Sequence, residues 1–296
     1  DEAPRIDFRE GWGEDFTGID ATLPPVEDSP VRELTLTISE VPIEVAPGVT
    51  QLRWTYNGDS LAPTLHGRVG DRFVVTLVNE GTMGHSIDFH ASEVAPNREM
   101  RTIPPGETLR YEFTAARAGI WMYHCGTPPM STHIASGLAG AVVVEPEGLT
   151  EVDRSYVLTA SEIYGDTADG TPAVTTFNGS AFQYDADQLT AKVGERVRFW
   201  VLDAGPNGPL SFHVIGGQFD TVWREGAYTL GGLLLVLLVA LHTRLELARR
   251  AQRTLDVQYY IWRKDTSGML LFGALREAAD RGVRVRLLLD DNNTSG

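Results

Sequence analysis

The sequence predicts a mainly β chain: two β-sandwiches in tandem, the second incomplete, followed by a βαβ fragment. Three observations predict it. Short runs of alternating apolar and polar residues, bounded by Gly, Pro and Asp, recur along most of the chain, as half-buried strands of a sandwich or barrel do. The run Gly70-Asp71-Arg72-Phe73-Val74 returns as Gly194-Glu195-Arg196-Val197-Arg198-Phe199, an internal repeat of about a domain's length. Finally, the pattern and the charge both change near Gly231. The net charge of −15 divides into −18 over residues 1–230 and +3 over residues 231–296.

Residues 1–30 are acidic and punctuated by Pro and Gly, and read as an extended arm, with two alternatives open: Trp12 and Phe16 anchor it to a core or a neighbouring subunit, or it is a poorly ordered terminus. Leu34-Thr35-Leu36-Thr37-Ile38 is the first clear strand. A turn at Ala62–Leu65 and another at Gly70-Asp71-Arg72 lead into a strand over Phe73–Val78. Further strands are expected at Leu109–Phe113, Gly119–Tyr123 and Ala141–Val144. These complete a first domain over residues 31–148. A second spans 149–230, and its β pattern stops after Tyr228. Leu233–Leu241 is apolar but too short to span a membrane, and continues into a helical run over 243–251. Leu255–Trp262, Ser267–Ala279 and Val283–Leu289 then read as strand, helix and strand, with the helix stopped at Arg281-Gly282 and the strands parallel.

Two domains with real cores fit within 296 residues. The strong negative charge argues against nucleic acid as a partner. A single cysteine rules out an intramolecular disulfide.

That cysteine, Cys125, is the centre of the functional reading. His124 precedes it and His133 follows eight positions later, while His85-Ser86-Ile87-Asp88-Phe89-His90 supplies two more imidazoles. One thiolate with two imidazoles is a donor set for copper in electron transfer. Side chains alternate faces along a strand, so His124 and Cys125 point opposite ways, as do His85 and His90. The economical arrangement is two metal sites, His85, Cys125 and His133 in one, and His90 and His124 in the other. A lone histidine would read as a core residue; four paired around one thiol read as ligands. His66, near a turn, shows no partner and reads as a surface residue.

With these motifs, Tyr-His-Cys at 123–125, Ser136-Gly137-Leu138-Ala139-Gly140 and Ser-Phe-His-Val-Ile-Gly at 211–216, the segment from about 32 to 228 resembles the copper-containing nitrite reductases, within the two-domain multicopper oxidases. The resemblance implies two cupredoxin-like Greek-key sandwiches. It implies a type 1 copper on His85, Cys125 and His133 and a type 2 copper on His90 and His124, with Asp88 and His213 as the acid–base pair. It implies nitrite as substrate, a cupredoxin or cytochrome c as electron donor, a homotrimer, and a periplasmic or extracellular location. Two departures stand out. The axial methionine of the type 1 site is replaced by Leu138, with Met130 in the preceding loop an unsuitable substitute. The third type 2 histidine, which the family donates across a subunit interface, falls where this chain has changed character, so weakened activity and trimerisation are expected. An electron-transfer protein holding a single copper, or a laccase-like oxidase, would share the first ligand set. Residues 241–296 resemble the opening of the phospholipase D and cardiolipin synthase superfamily, but lack its His-x-Lys motif, and His242 is the tail's lone histidine.

Overall fold

The structure, a computed structural model, describes residues 11–94, 99–165, 171–224, 228–231, 248–250, 252–259 and 266–289. It divides into two compact units, Asp1–Ile215 with Arg224–Tyr228, and Gly216–Trp223 with Thr229–Gly296.

The first unit opens with a β-sandwich. Its strands are β1 (Val31–Ala46), β2 (Val49–Tyr56), β3 (Leu65–Arg68), β4 (Arg72–Asn79), β5 (Asp88–Phe89), β6 (Thr108–Thr114), β7 (Gly119–His124) and β8 (Ala139–Glu145). One sheet has the order β2-β1-β4-β6 and the other β3-β8-β7-β5. Leu36 and Ile38 of β1, Val75 and Leu77 of β4, and Tyr111 of β6 are fully buried, whereas Glu33 and Thr35 are exposed, the alternation that marks one sheet face as core. Phe89 stacks on Phe113 and Tyr123, locking the short β5 to both sheets. Each large side chain buried this way contributes about 1.5–3 kcal/mol.

Strand β8 is apolar on both faces because both are covered. Val142 and Val144 join the sandwich core, while Ala141 and Val143 pack with Val157 and Trp200 of the following segment. That segment forms the sheet β10-β9-β11, from β9 (Arg154–Tyr164), β10 (Pro172–Phe177) and β11 (Val197–Asp203), with α2 (Gln183–Ala186) following α1 (Met130–Ala135) of the first sandwich.

The internal repeat has a structural counterpart. Asp71 Oδ2 accepts from the Arg68 backbone N–H at 2.8 Å and from Arg32 Nη2 of β1 at 2.6 Å. In the second segment Glu195 Oε2 accepts from the Lys192 N–H at 2.8 Å and from Arg154 Nε of β9 at 2.5 Å. In each case one carboxylate closes the turn and ties it to an arginine on the adjacent parallel strand, β1 beside β4 and β9 beside β11.

The arm is anchored within the chain. Trp12 donates to the Ala181 carbonyl at 2.6 Å and stacks on Phe16 at 4.0 Å, and Val157 N–H donates to Ala21 O at 2.7 Å. The arm also corrects the reading of His66. Its side chain is only 5% exposed, because Pro24 O lies 2.6 Å from Nδ1 and Glu145 Oε1 3.3 Å from Nε2. Burial lowers its pKa, against the opposing pull of Pro24 O and Glu145.

β12 (Thr221–Arg224) pairs with β13 (Tyr228–Gly231), and in the second unit β14 (Thr254–Tyr259) runs parallel to β15 (Arg284–Leu289) across α3 (Thr266–Asp280), the expected βαβ order. The helix ends where the sequence places it. Gly282 takes a φ of +88°, Val283 N–H bonds to Ala278 O and Gly282 N–H to Ala279 O, which is a Schellman termination. The apolar run 233–241, most of the helical run 243–251 and His242 lie outside the described residues.

Candidate metal centres

Among the described residues, two groups of donor side chains lie close enough to share a metal ion: His85, Cys125 and His133, and Asp88, His90 and His124. The division matches the strand argument. His124 is the last residue of β7, and Cys125 follows it with its side chain on the core side.

The first group is buried throughout. Its positions are set by backbone pairing. His85 and Ile103 exchange N–H···O bonds of 3.1 and 2.7 Å. Cys125 N–H donates to Leu138 O, and Leu138 N–H to His133 O, both at 3.1 Å, which closes the ligand loop at its two ends. His133 projects from the short helix α1. Next to it, Gly137 has a φ of +122°, and a Cβ there would stand 2.7 Å from Trp54 O, so this position requires glycine. The three donor atoms are His85 Nδ1, His133 Nδ1 and Cys125 Sγ, separated by 3.2, 3.2 and 3.8 Å. A point equidistant from all three lies about 2 Å from each, the length of a metal–imidazole bond. Burial lowers the pKa of both imidazoles, that of His85 to about 4 with His133 adding to the effect. They are therefore neutral, the form that binds metal. The residues fit a copper ion of the thiolate–imidazole type.

The second group is built from two paired strands. Asp88 of β5 is directly opposite His124 of β7 in the antiparallel register, and His90 is two residues on from Asp88. All three side chains therefore share one face of the sheet. His90 Nε2 and His124 Nε2 are 3.0 Å apart, and Asp88 Oδ2 lies 3.9 and 3.8 Å from them. His124 Nδ1 is 2.9 Å from its neighbour's carbonyl, Cys125 O. That bond requires the proton on Nδ1, so that in the neutral ring the lone pair is on Nε2, which faces the group's centre. His90 is about half exposed, and burial with the nearby His124 lowers its pKa. This centre opens to solvent, unlike the first.

The remaining expectations are placed as follows. The Leu138 side chain is fully buried in the core beside the first group, and Met130 is 46% exposed at the start of α1. His213 is exposed in the irregular stretch after β11, and it does not join Asp88 in the donor cluster. Two residues escaped the sequence reading. Trp54 packs edge-on against both His133 and His85, at 4.8 and 5.4 Å between ring centres. The Ser86 N–H points at Cys125 Sγ from 3.4 Å. Ser86 sits within the motif already noted, whereas nothing local to Trp54 points to the site.

Comparison with known proteins places these residues in context. The family model described as Multicopper oxidase matches residues 37–148. The copper-containing nitrite reductase of Neisseria gonorrhoeae is 34% identical over 207 residues, covering 63% of this chain and 53% of that protein. Among solved structures, the copper nitrite reductase from Nitrosomonas europaea matches with a TM-score of 0.61 at 34% identity, over 68% of this chain and 81% of that one. The Cu-containing nitrite reductase from Thermus scotoductus SA-01 matches with a TM-score of 0.63 at 30% identity, over 67% of this chain and 49% of that one. The chain spans about half the length of the curated relatives it matches first. The phospholipase D resemblance of residues 241–296 is not supported by these comparisons.

Proposed function

The chain belongs to the multicopper oxidase family, among the copper-containing nitrite reductases, and on that footing we propose that it is a copper-dependent oxidoreductase that reduces nitrite to nitric oxide with an electron from a small donor protein. The observation that carries the reading is the pair of donor groups on opposite sides of the adjacent residues His124 and Cys125. Copper, when bound, supplies one-electron chemistry at the buried group and a Lewis-acid position for substrate at the open one.

The chain's own residues do the rest. His85, Cys125 and His133 form the type 1 site, with Leu138 at the axial position contributing no donor. His90 and His124 form the type 2 site. One peptide unit joins the ligands of the two, the shortest covalent route available for an electron. Asp88 is the acid at hand beside the second group. His213 completes the acid–base pair where the loop after β11, or a second copy of the chain, presents it. Turnover is slower than in relatives with a third type 2 histidine, because the described residues of one chain offer two imidazoles there. A cupredoxin or cytochrome c donor, a periplasmic or extracellular setting and a weak trimer complete the proposal.

A second reading, an electron-transfer protein holding one copper, draws on the complete burial of the first group alone. Copper stoichiometry separates the two. The proposal expects two copper ions per chain, one coloured by thiolate-to-copper charge transfer and one not. One copper per chain, fully accounted for by the colour, supports the second reading.

A further inference from the structure

We propose that Asp88 is itself a ligand of the second metal, so that one chain holds a complete set of two histidines and one carboxylate. This rests on the reading that His90 and His124 bind a metal, and extends it.

The geometry is that of a ligand. Asp88 Oδ2 lies 3.8 Å from His124 Nε2 and 3.9 Å from His90 Nε2, and the two nitrogens are 3.0 Å apart. A point equidistant from the three atoms is about 2.1 Å from each, within the range of metal bonds to imidazole nitrogen and carboxylate oxygen. The placement follows from the strands rather than from a mobile side chain. The register Asp88↔His124 and the spacing Asp88-x-His90 put all three on one face.

At His124 the hydrogen-bond chemistry argues against the ordinary alternative. A carboxylate near a ligand histidine usually accepts the proton of the imidazole nitrogen that does not bind metal. Here that proton is on His124 Nδ1 and is taken by Cys125 O. His124 turns its bare Nε2 toward Asp88, which it cannot serve as a donor. Among the described residues, the two imidazoles are the basic groups within ion-pair distance of this carboxylate. A carboxylate oxygen and an imidazole lone pair facing one point repel each other until a cation stands between them. The carboxylate also neutralises one charge of a divalent ion, which two neutral imidazoles do not. Asp88 then acts as an acid only after substrate has displaced it and the freed carboxylate has taken up a proton from solvent, which adds a second reason, beside the missing imidazole, to expect slow turnover.

The test compares the full chain with Asp88→Asn, Asp88→Glu and His124→Ala, each loaded with Cu(II). The visible band of the first site reports that each variant is folded. The electron paramagnetic resonance signal of the second site, titrated against a chelator series, gives its affinity. The proposal expects Asp88→Asn to lower that affinity about 10-fold or more and to change the signal, with the visible band unchanged and partial recovery in Asp88→Glu. Affinity and signal equal to the parent's in Asp88→Asn overturn it while leaving His90 and His124 as ligands. If the parent chain binds no second copper, or His124→Ala binds it as well as the parent does, the underlying reading falls and the proposal with it.

Discussion

At the scale of single residues, the account depends on one sulfur and the side chains that meet it. Cys125 is the described residue whose loss should separate colour from fold, because its thiol faces both imidazoles and serine only exchanges the sulfur for a smaller oxygen at the same place. Cys125→Ser is expected to abolish the visible band of the copper-loaded protein while leaving the circular dichroism spectrum and the second copper in place. A band that persists would assign the colour elsewhere. On the proposed assignment Leu138 holds the axial position of the same site and offers it no donor. A thioether donor stabilises Cu(II) relative to Cu(I), so Leu138→Met is expected to lower the reduction potential in a redox titration. An equal or higher potential would mean that position 138 is not axial. The four imidazoles and the thiol were legible in the sequence because strand alternation is a local rule that sorts them into two sets. The burial of His66 was not, because it is made by Pro24, 42 residues away in sequence, folding back over it.

At the scale of elements, the ligand loop between β7 and β8 decides how rigidly the first site is held. Gly137 stands where a side chain would meet the Trp54 carbonyl, in a φ region that other residues adopt at a cost of about 1–3 kcal/mol. Gly137→Ala is expected to lower the unfolding free energy of the metal-free protein, read from denaturant titration, by at least that much and to weaken the coloured site. Unchanged stability and colour would show that β2 can give way. The arm makes its own prediction through His66. Burial lowers its folded-state pKa from the ordinary 6.5, so the unfolded chain takes up the proton first as pH falls. Its contribution to stability is therefore complete above about pH 6.5 and is lost progressively on acidification below that. Thermal unfolding of the parent against His66→Gln should show a shallower acid dependence in the variant; parallel curves would contradict it. Elements differed in how far they could be read. β1 and β6 showed their alternation plainly, and β4, β7 and β8 were legible as short apolar runs bounded by turn residues. β2 did not, since Leu52 is 63% exposed while Thr55 and Tyr56 are buried, so its polarity runs against its pattern. Trp54, carried on that strand, was missed with it. β5 is two residues long, too short for any period, and its placement opposite β7 is a matter of long-range register.

At the scale of the whole molecule, the repeat of Gly-Asp-Arg and Gly-Glu-Arg was legible as a repeat, but its role as a carboxylate tie between a turn and a neighbouring parallel strand needed the pairing of β1 with β4 and β9 with β11. The order strand, helix, strand from β14 to β15 was legible from helical period, the stop at Gly282 and two apolar runs, whereas β13 was not read, and the family resemblance drawn from that tail is not supported. The central claim is that the two donor groups act as one unit, linked through His124 and Cys125. The direct measurement is to load the chain with copper, reduce it without oxygen using an artificial donor, and then add nitrite while following the visible band and nitric oxide together. The account predicts return of the band with nitric oxide released in proportion, more slowly than in a relative carrying a third type 2 histidine, and no return in His124→Ala. No reoxidation by nitrite in a chain holding both coppers, or reoxidation that survives His124→Ala, would contradict it.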